Sequence, residues 1–297
     1  MQSSIPKSKG DRIFTVCNYI FLSLLILSVL YPLIYVVSAS FSSADAVASG
    51  RVWLWPVDFS LEGYKAVFDY NMIWTGYANS LFYMVVGTSI NVALTILAAY
   101  PLSRRDFRGR GIFMFLFVFT MMFNGGLIPT YLLVRDLGML NTRWALIIPN
   151  AMAVFNVIIT MTYFRSVIPK EVLESAQLDG CNDFKFLLKI VLPLSAPIIA
   201  VISLFYAVGH WNQYFSALIY LRDTDLFPLQ LVLRNILIQS EIDPSMISDI
   251  GNYQKNVGLR ELLKYALIVV ASLPVLIIYP FVQKYFVKGV MIGSLKG

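Results

Sequence analysis

One cluster of hydrogen-bonding side chains interrupts a long apolar stretch of this 297-residue chain: His210, Trp211, Asn212, Gln213 and Tyr214, in the segment 209-GHWNQY. An amide side chain offers two donors and an acceptor with two lone pairs, and an aromatic ring can stack on the face of a hydroxylated ligand. These residue types favour non-covalent binding of a neutral polar solute. His210 is the one histidine of the sequence, so a packed neutral imidazole is a simpler interpretation than a catalyst.

Three asparagines stand at comparable depths in other apolar runs: Asn91, Asn124 and Asn156. Together with the 210-HWNQY segment they are candidates for lining a solute pathway. The alternative is that these amides hydrogen-bond between helices, each worth about 0.6–2 kcal/mol, and line nothing. None of the runs contains a carboxylate to hold a driving ion, which argues against a proton- or sodium-coupled carrier.

The elements that must position these side chains follow from composition. The chain is 58% hydrophobic and 13% charged, whereas an average soluble domain has about 25% charged residues. Six runs lack Asp, Glu, Lys and Arg and are long enough to cross a hydrocarbon core of about 30 Å. They cover residues 14–38, 78–102, 112–134, 144–164, 195–221 and 265–283. The expected fold is an all-α integral membrane protein with six transmembrane helices, in one domain spanning 1–297.

The first run has an alternative interpretation as a signal peptide, because Lys7, Lys9 and Arg12 precede it and small residues follow at 44-ADAVASG. A signal peptide has an apolar region of about 7–15 residues. The run at 14–38 is much longer, which favours a retained transmembrane helix.

The charges of the loops predict the orientation. If the six spans hold, fourteen Lys and Arg residues fall on the side of the two termini and nine on the other, giving net charges of +8 and −2. The positive-inside rule then places both termini in the cytoplasm. Topology explains the pI near 9.2 without a nucleic-acid partner. Cys17 and Cys181 both fall on the reducing side, so we expect no disulfide, and we expect no metal site.

Proline and glycine occur at several points within the apolar runs. The third run contains 124-NGGLIP, the fifth begins near Pro193 and Pro197, and the sixth contains Pro274 and Pro280. These residues predict kinks at which helices bend. Gly125 and Gly126 equally suit close helix packing, and the sequence leaves both interpretations open.

The loop at 165–194, predicted to be cytoplasmic, carries a short amphipathic pattern. In 169-PKEVLESAQLDG, Pro169 suits a helix start, Glu171 and Glu174 suit its N-terminal half, and Gly180 suits its end. Val172, Leu173 and Ala176 share one face, which we expect to be open to a soluble partner, while Glu174 offers a carboxylate to it. A second helix is predicted at about 183–192. An interfacial helix lying on the membrane would instead show larger apolar residues and more lysine.

At this point the residues show a family resemblance. The pattern of Glu174, Ser175, Ala176 and Gly180, followed at fixed distance by 190-IVLP, resembles the EAA loop of ABC-importer permeases, with Ser175 in place of the usual alanine. Further blocks are similar to the second, maltose-type carbohydrate permease of heteromeric importers: 137-LGMLNTRWALIIP, 211-WNQYFSALIYL and 285-YFVKGVMIGSLKG. The block 124-NGGLIPTYLLVRDLG resembles the branch that serves oligosaccharides and complex polysaccharides.

The resemblance implies a multi-pass permease of the bacterial inner membrane that catalyses no covalent step and holds no cofactor. It implies a second homologous permease, two cytoplasmic ATPase subunits that bind ATP and Mg, and an extracytoplasmic solute-binding protein. The ATPase-coupling residues it implies are Glu174, Ser175, Ala176, Asp179 and Gly180. The solute is expected to be an oligosaccharide, with uronates such as alginate and neutral glycans both open. A stand-alone secondary transporter or channel is the alternative class.

Overall fold

The computed structural model describes residues 9–239, 262–277, 279 and 280, and every regular element in this part of the chain is helical. The predicted all-helical class is confirmed for these residues. The helices, with our labels, are α1 Lys9–Ser40, α2 Ala44–Ala48, α3 Glu62–Asp69, α4 Asn71–Ser103, α5 Arg110–Met122, α6 Leu127–Asp136, α7 Trp144–Ile147, α8 Val154–Val167, α9 Lys170–Leu178, α10 Asp183–Leu194, α11 Ala196–Trp211, α12 Phe215–Tyr220, α13 Leu229–Gln239 and α14 Leu262–Ile277. Single π-helical turns lie within α4 at Tyr83–Gly87 and within α10 at Leu187–Val191.

The helices that are long and apolar enough to cross a membrane number between two and four in the described part of the chain. Alone, α1 with 32 residues and α4 with 33 residues qualify. The pair α5 and α6 qualifies only together and is bent by 113°, and the pair α10 and α11 is bent by 83°. The count of six therefore stays a prediction. The predicted sixth span lies partly outside the described residues.

Three of the predicted spans, 112–134, 144–164 and 195–221, are interrupted. A break in the first is predicted at 124-NGGLIP, whereas the expectation of an unbroken helix is wrong for 144–164 and, at 212–214, for 195–221. Hydropathy reports where a residue prefers to be, but it does not report backbone conformation. The first run breaks at 123–126, where Gly126 has φ 86° and its N–H donates to Asn124 Oδ1. The second breaks at 148–153 and the third at 212–214. The predicted kinks at 124-NGGLIP and between Pro193 and Pro197 are confirmed, the latter at Ser195.

The described residues fall into two compact units. One takes its residues from Met1–Tyr70 and Ile236–Ala271, the other from Asn71–Asn235 and Ser272–Gly297. In the first unit a small core joins the end of α1, helix α2 and the start of α14: Ala39, Ala46, Val47, Val52 and Leu262. The rest of α1 is largely exposed and apolar, as a helix surrounded by lipid or by other subunits would be.

The second unit has its largest core where α4, α8, α10 and α11 meet, with members Ile96, Ala99, Leu102, Val157, Met161, Phe164, Ala176, Phe186, Leu187, Val191, Ile198, Ile202 and Tyr206. Ala176 belongs to α9, so the short helix of the loop at 165–194 is part of this core. Small residues in α4 let the helices approach closely, because Ala99 is fully buried between larger neighbours.

Polar side chains of α4 hold the segment 225–229 against the opposite end of this unit. Asn79 Nδ2 donates to the carbonyls of Asp225 at 2.7 Å and Phe227 at 3.1 Å, while its Oδ1 accepts from Arg143 at 3.1 Å. The Leu229 N–H donates to Ser80 Oγ at 2.8 Å. These contacts satisfy backbone groups where the 3-10 turn Thr224–Leu226 connects to the start of α13.

We predict that Asn79→Ala lowers the free energy of unfolding by about 1–3 kcal/mol, because two carbonyls and one arginine lose a buried partner. The measurement is the melting temperature of the purified protein in detergent. Asn71→Ala, at an exposed position of the same helix, is the matched control and should melt like the parent. Equal melting of both variants would show that Asn79 holds nothing.

Candidate functional sites

Helix α9 begins and ends where the sequence predicts. Pro169 precedes it in extended conformation, and the helix starts at Lys170. At the other end the Cys181 N–H donates to the Ala176 carbonyl at 2.9 Å and the Gly180 N–H to the Gln177 carbonyl at 3.0 Å. This is the pattern of a Schellman motif, and Gly180 has the positive φ of 71° that it requires. The second predicted helix is also confirmed, as α10.

The face of α9 that carries Ala176 is buried, although we expect it to be exposed. Ala176 is only 8% exposed, and Val172 and Leu173 pack with it against the core. The expectation that this small face is open to a partner is therefore wrong. Val172, Leu173 and Ala176 are apolar, and the chain buries them against its own core. Residues of α8 and α10, the helices before and after α9, belong to that core.

The free surface of α9 is the opposite face. Glu171, Glu174, Ser175 and Leu178 follow the spacing i, i+3, i+4, i+7 and are all exposed. Leu178 is 90% exposed, which is unusual for a leucine beside a well-formed core. Among the residues predicted to couple to a partner, Glu174, Ser175, Asp179 and Gly180 are exposed and Ala176 is not.

An arginine joins the two loops predicted to lie on the same side. Arg104 makes a bidentate pair with Asp106 at 2.9 and 2.6 Å, and its Nη1 donates to Asp183 at 2.7 Å. The hydrogen bond to Asp106 raises the pKa of Arg104, and the same bond lowers the pKa of Asp106 below its ordinary value. Because the carboxyl pKa is lower in the folded than in the unfolded state, the pair stabilises the fold at neutral pH, and this contribution is lost as the pH falls through the lowered pKa.

A second group of polar side chains is buried between α4 and α11. His210 Nε2 lies 3.4 Å from Asn91 Oδ1, and Asn91 Nδ2 donates to the Asn150 carbonyl at 3.0 Å. The imidazole lies directly on Gly87, in the π-helical turn of α4. A Cβ atom at Gly87 would approach His210 Nε2 to 2.4 Å, so only glycine fits there.

A tyrosine extends this group toward the break at 148–153. The hydroxyl groups of Tyr206 and Thr95 are 2.7 Å apart, and the Ala153 N–H donates to the Tyr206 hydroxyl at 3.0 Å. We call Asn91, Thr95, Tyr206 and His210 the buried polar cluster. It supplies hydrogen bonds to the non-helical backbone between α7 and α8, which such backbone needs when it lies at membrane depth.

The eight residues predicted for a solute pathway lie in different environments. Asn91, Asn156, His210 and Trp211 are buried within the chain, and Trp211 packs edge-on against Tyr77 at 5.4 Å between ring centroids. Asn212 and Tyr214 are exposed, Gln213 is half-buried, and Asn124 is exposed at the break between α5 and α6. The structure thus joins Asn91 with His210. A pathway lined by these residues stays a prediction.

Sequence reasoning missed Thr95, Tyr206 and Gly87. Thr95 follows Asn91 by four residues and Tyr206 precedes His210 by four, so each pair shares one helix face. This spacing could have identified Thr95 and Tyr206 as members of the cluster. No sequence pattern indicates the role of Gly87, because that role depends on how closely α11 approaches α4. In the part of the chain that the structure describes, no three His, Cys, Asp or Glu side chains are grouped as metal ligands.

Comparison with known proteins identifies the class. The profile of the family described as binding-protein-dependent transport system inner membrane component matches residues 91–292, and the chain belongs to this family. It is accordingly a multi-pass component of the inner membrane that works as a transport permease.

Two relatives from Bacillus subtilis (strain 168) match almost the whole chain. The polygalacturonan/rhamnogalacturonan transport system permease protein YtcP is 46% identical over 97% of this chain and 99% of its own length. The protein LplC is 42% identical over 99% of this chain and 98% of its own length.

A solved structure shows the same fold. A permease chain in the crystal structure of a bacterial ABC transporter, involved in the import of the acidic polysaccharide alginate, superposes with a TM-score of 0.88 at 40% identity. The match covers 95% of this chain and 100% of that one.

The contact between Gly87 and His210 gives a testable prediction. We expect Gly87→Ala to displace the imidazole and to open the buried polar cluster, lowering the melting temperature of the complex by several degrees, as overpacking costs typically 1–3 kcal/mol. Gly111→Ala is the matched control, because that glycine lies in helix α5 with open space around it. If both variants melt like the parent, α11 does not approach α4 as described.

Proposed function

We propose that the chain is the transmembrane permease subunit of an ATP-driven importer for oligosaccharides derived from acidic polysaccharides. The observation that carries this is the full-length similarity, at 46% and 40% identity, to a polygalacturonan/rhamnogalacturonan permease and to a chain of an alginate importer. An importer permease for oligosaccharides or polysaccharides is what the family and its relatives support. The uronate preference is the narrower part of the proposal. None of these comparisons favours a stand-alone secondary transporter or channel.

The net charge of the outer segments of this subunit does not suit the capture of polyanions, so we assign that capture to another subunit. In the predicted topology the outer segments carry eleven acidic and nine basic residues. A negative outer surface does not attract an acidic solute. We therefore assign electrostatic selection to the solute-binding protein and the second permease, and passage to the neutral amides and aromatic rings of this chain, in particular the exposed Asn212 and Tyr214.

The exposed face of α9 is proposed as the docking surface for one ATPase subunit, which would bind ATP and Mg. Glu171 offers a carboxylate to cations of the partner, Glu174 offers one that is paired with Lys170 within the chain, and Leu178 offers an apolar anchor. An apolar residue that becomes desolvated on docking, with polar residues around it, is typical of interface hot spots. A second homologous permease would dock its own coupling helix on a second ATPase subunit.

Movement of α9 reaches the membrane helices through packing. Ala176 lies in the close-packed core formed by α4, α8, α10 and α11, so a displacement of α9 also displaces the helices of this core. Closure of the ATPase subunits would move this core as a unit and change the side to which the pathway opens. Hydrolysis of ATP would reset it.

Two sets of contacts support the grouping of the loops on two sides in the proposed topology. Arg104 and Asp183, from two loops predicted to be cytoplasmic, form an ion pair at 2.7 Å. At the other end Asn141 Oδ1 accepts from the backbone N–H groups of Arg222 and Asp223, which belong to segments predicted to be outside. Loops assigned to one side thus meet at one end of the unit.

Coupling is tested by Gly180→Val and Glu174→Lys in the reconstituted importer. The first forces a β-branched residue into the left-handed conformation that ends α9, and the second reverses a charge on the docking face. We expect substrate-stimulated ATP hydrolysis to fall at least tenfold while the permease pair still assembles. Gly138→Val is the matched control, since Gly138 also has positive φ (67°) and open space but lies far along the chain from α9. Normal coupling in both test variants would refute this role of α9.

The solute class is tested with the same complex and its solute-binding protein. We expect oligogalacturonates or alginate oligomers to stimulate ATP hydrolysis at least tenfold more than neutral maltooligosaccharides of equal length. Stimulation by neutral oligomers alone would contradict the uronate preference and leave the permease assignment intact.

A further inference from the structure

A cleft of about 680 Å³ lies between α9 and the segment that connects α4 to α5. Its lining is rich in arginine: Arg104, Arg105, Arg110 and Arg165. Phe164 and Ile168, at the end of α8, supply apolar surface beside them. Glu171 and Glu174 of the exposed face of α9 line one side of the cleft, whereas Ser175, Leu178 and the buried polar cluster do not.

Ion pairing within the chain uses only some of these charges. Arg104 is paired with Asp106 and Asp183, and Lys170 with Glu174. Arg105, Arg110 and Arg165 have no carboxylate within 4 Å among the described residues. Glu171 is the one lining carboxylate left outside these pairs. The cleft therefore keeps three guanidinium groups against one carboxylate.

Arg165 lies close enough to Arg110 and Arg105 to be repelled by both. The pKa of Arg165 is lowered first by burial and then by the positive charges of Arg110 and Arg105. Arg165 is nevertheless held in place, because its Nη2 donates to the Leu102 carbonyl at 2.8 Å and contacts Met161 Sδ at 3.0 Å. An anion bound here would relieve the repulsion among the positive charges and would accept hydrogen bonds from a guanidinium group that is already held in place.

The position of the cleft indicates which anion reaches it. Arg110 is the first residue of α5, and α5 buries none of its residues within the chain. Its exposed side chains, such as Ile112, Phe115 and Met122, form an apolar surface that starts at the cleft. Acyl chains along α5 and a phosphate in the cleft would fit this combination of charge and apolar surface.

We propose that Arg105, Arg110 and Arg165 bind the phosphate group of an anionic glycerophospholipid, whose acyl chains lie along α5. Because the cleft is also lined by α9, a bound headgroup neutralises the repulsion among the arginines and fixes the helix that we assign to ATPase docking. The site itself does not depend on that assignment.

The test is native mass spectrometry of the assembled importer released from nanodiscs that contain phosphatidylcholine and 20% phosphatidylglycerol. We expect one retained phosphatidylglycerol per copy of this chain, and its loss in the variant with Arg105→Gln, Arg110→Gln and Arg165→Gln. The matched control carries Arg51→Gln, Arg135→Gln and Arg222→Gln, which removes the same charge from the side predicted to be outside and should keep the lipid.

Each other outcome bears on the proposal. Equal retention by the two triple variants overturns it. Displacement of the lipid by millimolar inorganic phosphate supports the phosphate as the recognised group, whereas retention of phosphate alone, without lipid, overturns the lipid as its source. If the test variant instead loses its ATPase subunits while keeping the phosphatidylglycerol, the cleft is a protein-docking site and the lipid proposal is wrong.

Discussion

One short helix, α9, packs tightly against the membrane domain, and the proposed coupling to an ATPase subunit depends on that packing. Through Ala176, α9 belongs to the same core as α4, α8, α10 and α11, and its Schellman end at Gly180 fixes where the chain turns toward α10. A close-packed core transmits displacement because it cannot be compressed. The helix is therefore held rigidly against the membrane helices, and Glu171, Glu174, Ser175 and Leu178 are among its exposed residues.

The second requirement is that helices can break within the membrane domain without leaving unpaired backbone groups. Interrupted helices are compatible with lipid only where side chains or other backbone satisfy the freed N–H and C=O groups. The buried polar cluster does this for the segment between α7 and α8, through Asn91 at the Asn150 carbonyl and Tyr206 at the Ala153 N–H. The amides that first suggested a solute pathway thus also have a structural role, at least for Asn91.

The sequence predicted what depends on local chemistry. Hydropathy gave the helical class and the apolar runs, and Pro169 and Gly180 bounded α9 correctly. Predictions from the sequence failed where the structure depends on packing between residues that are distant along the chain. The inward turn of Ala176 follows from its contact with the core, and the need for glycine at position 87 follows from the approach of His210. The breaks at 148–153 and 212–214 were missed because apolar composition does not report backbone conformation. Family membership came from the 174-ESAQLDG loop, and similarity along the whole chain supports it.

The most direct test of the central claim is cysteine labelling of α9 with and without the ATPase subunits. With Cys17 and Cys181 replaced by serine, single cysteines are placed at Leu178, at Ala176 and, as a control, at Arg108, which is exposed in the segment before α5. We expect maleimide to label position 178 rapidly in the permease pair and at least tenfold more slowly after the ATPase subunits bind, while labelling at position 176 is slow throughout and labelling at position 108 is unchanged. Rapid labelling at 176, or unprotected labelling at 178, would contradict the proposed docking of α9.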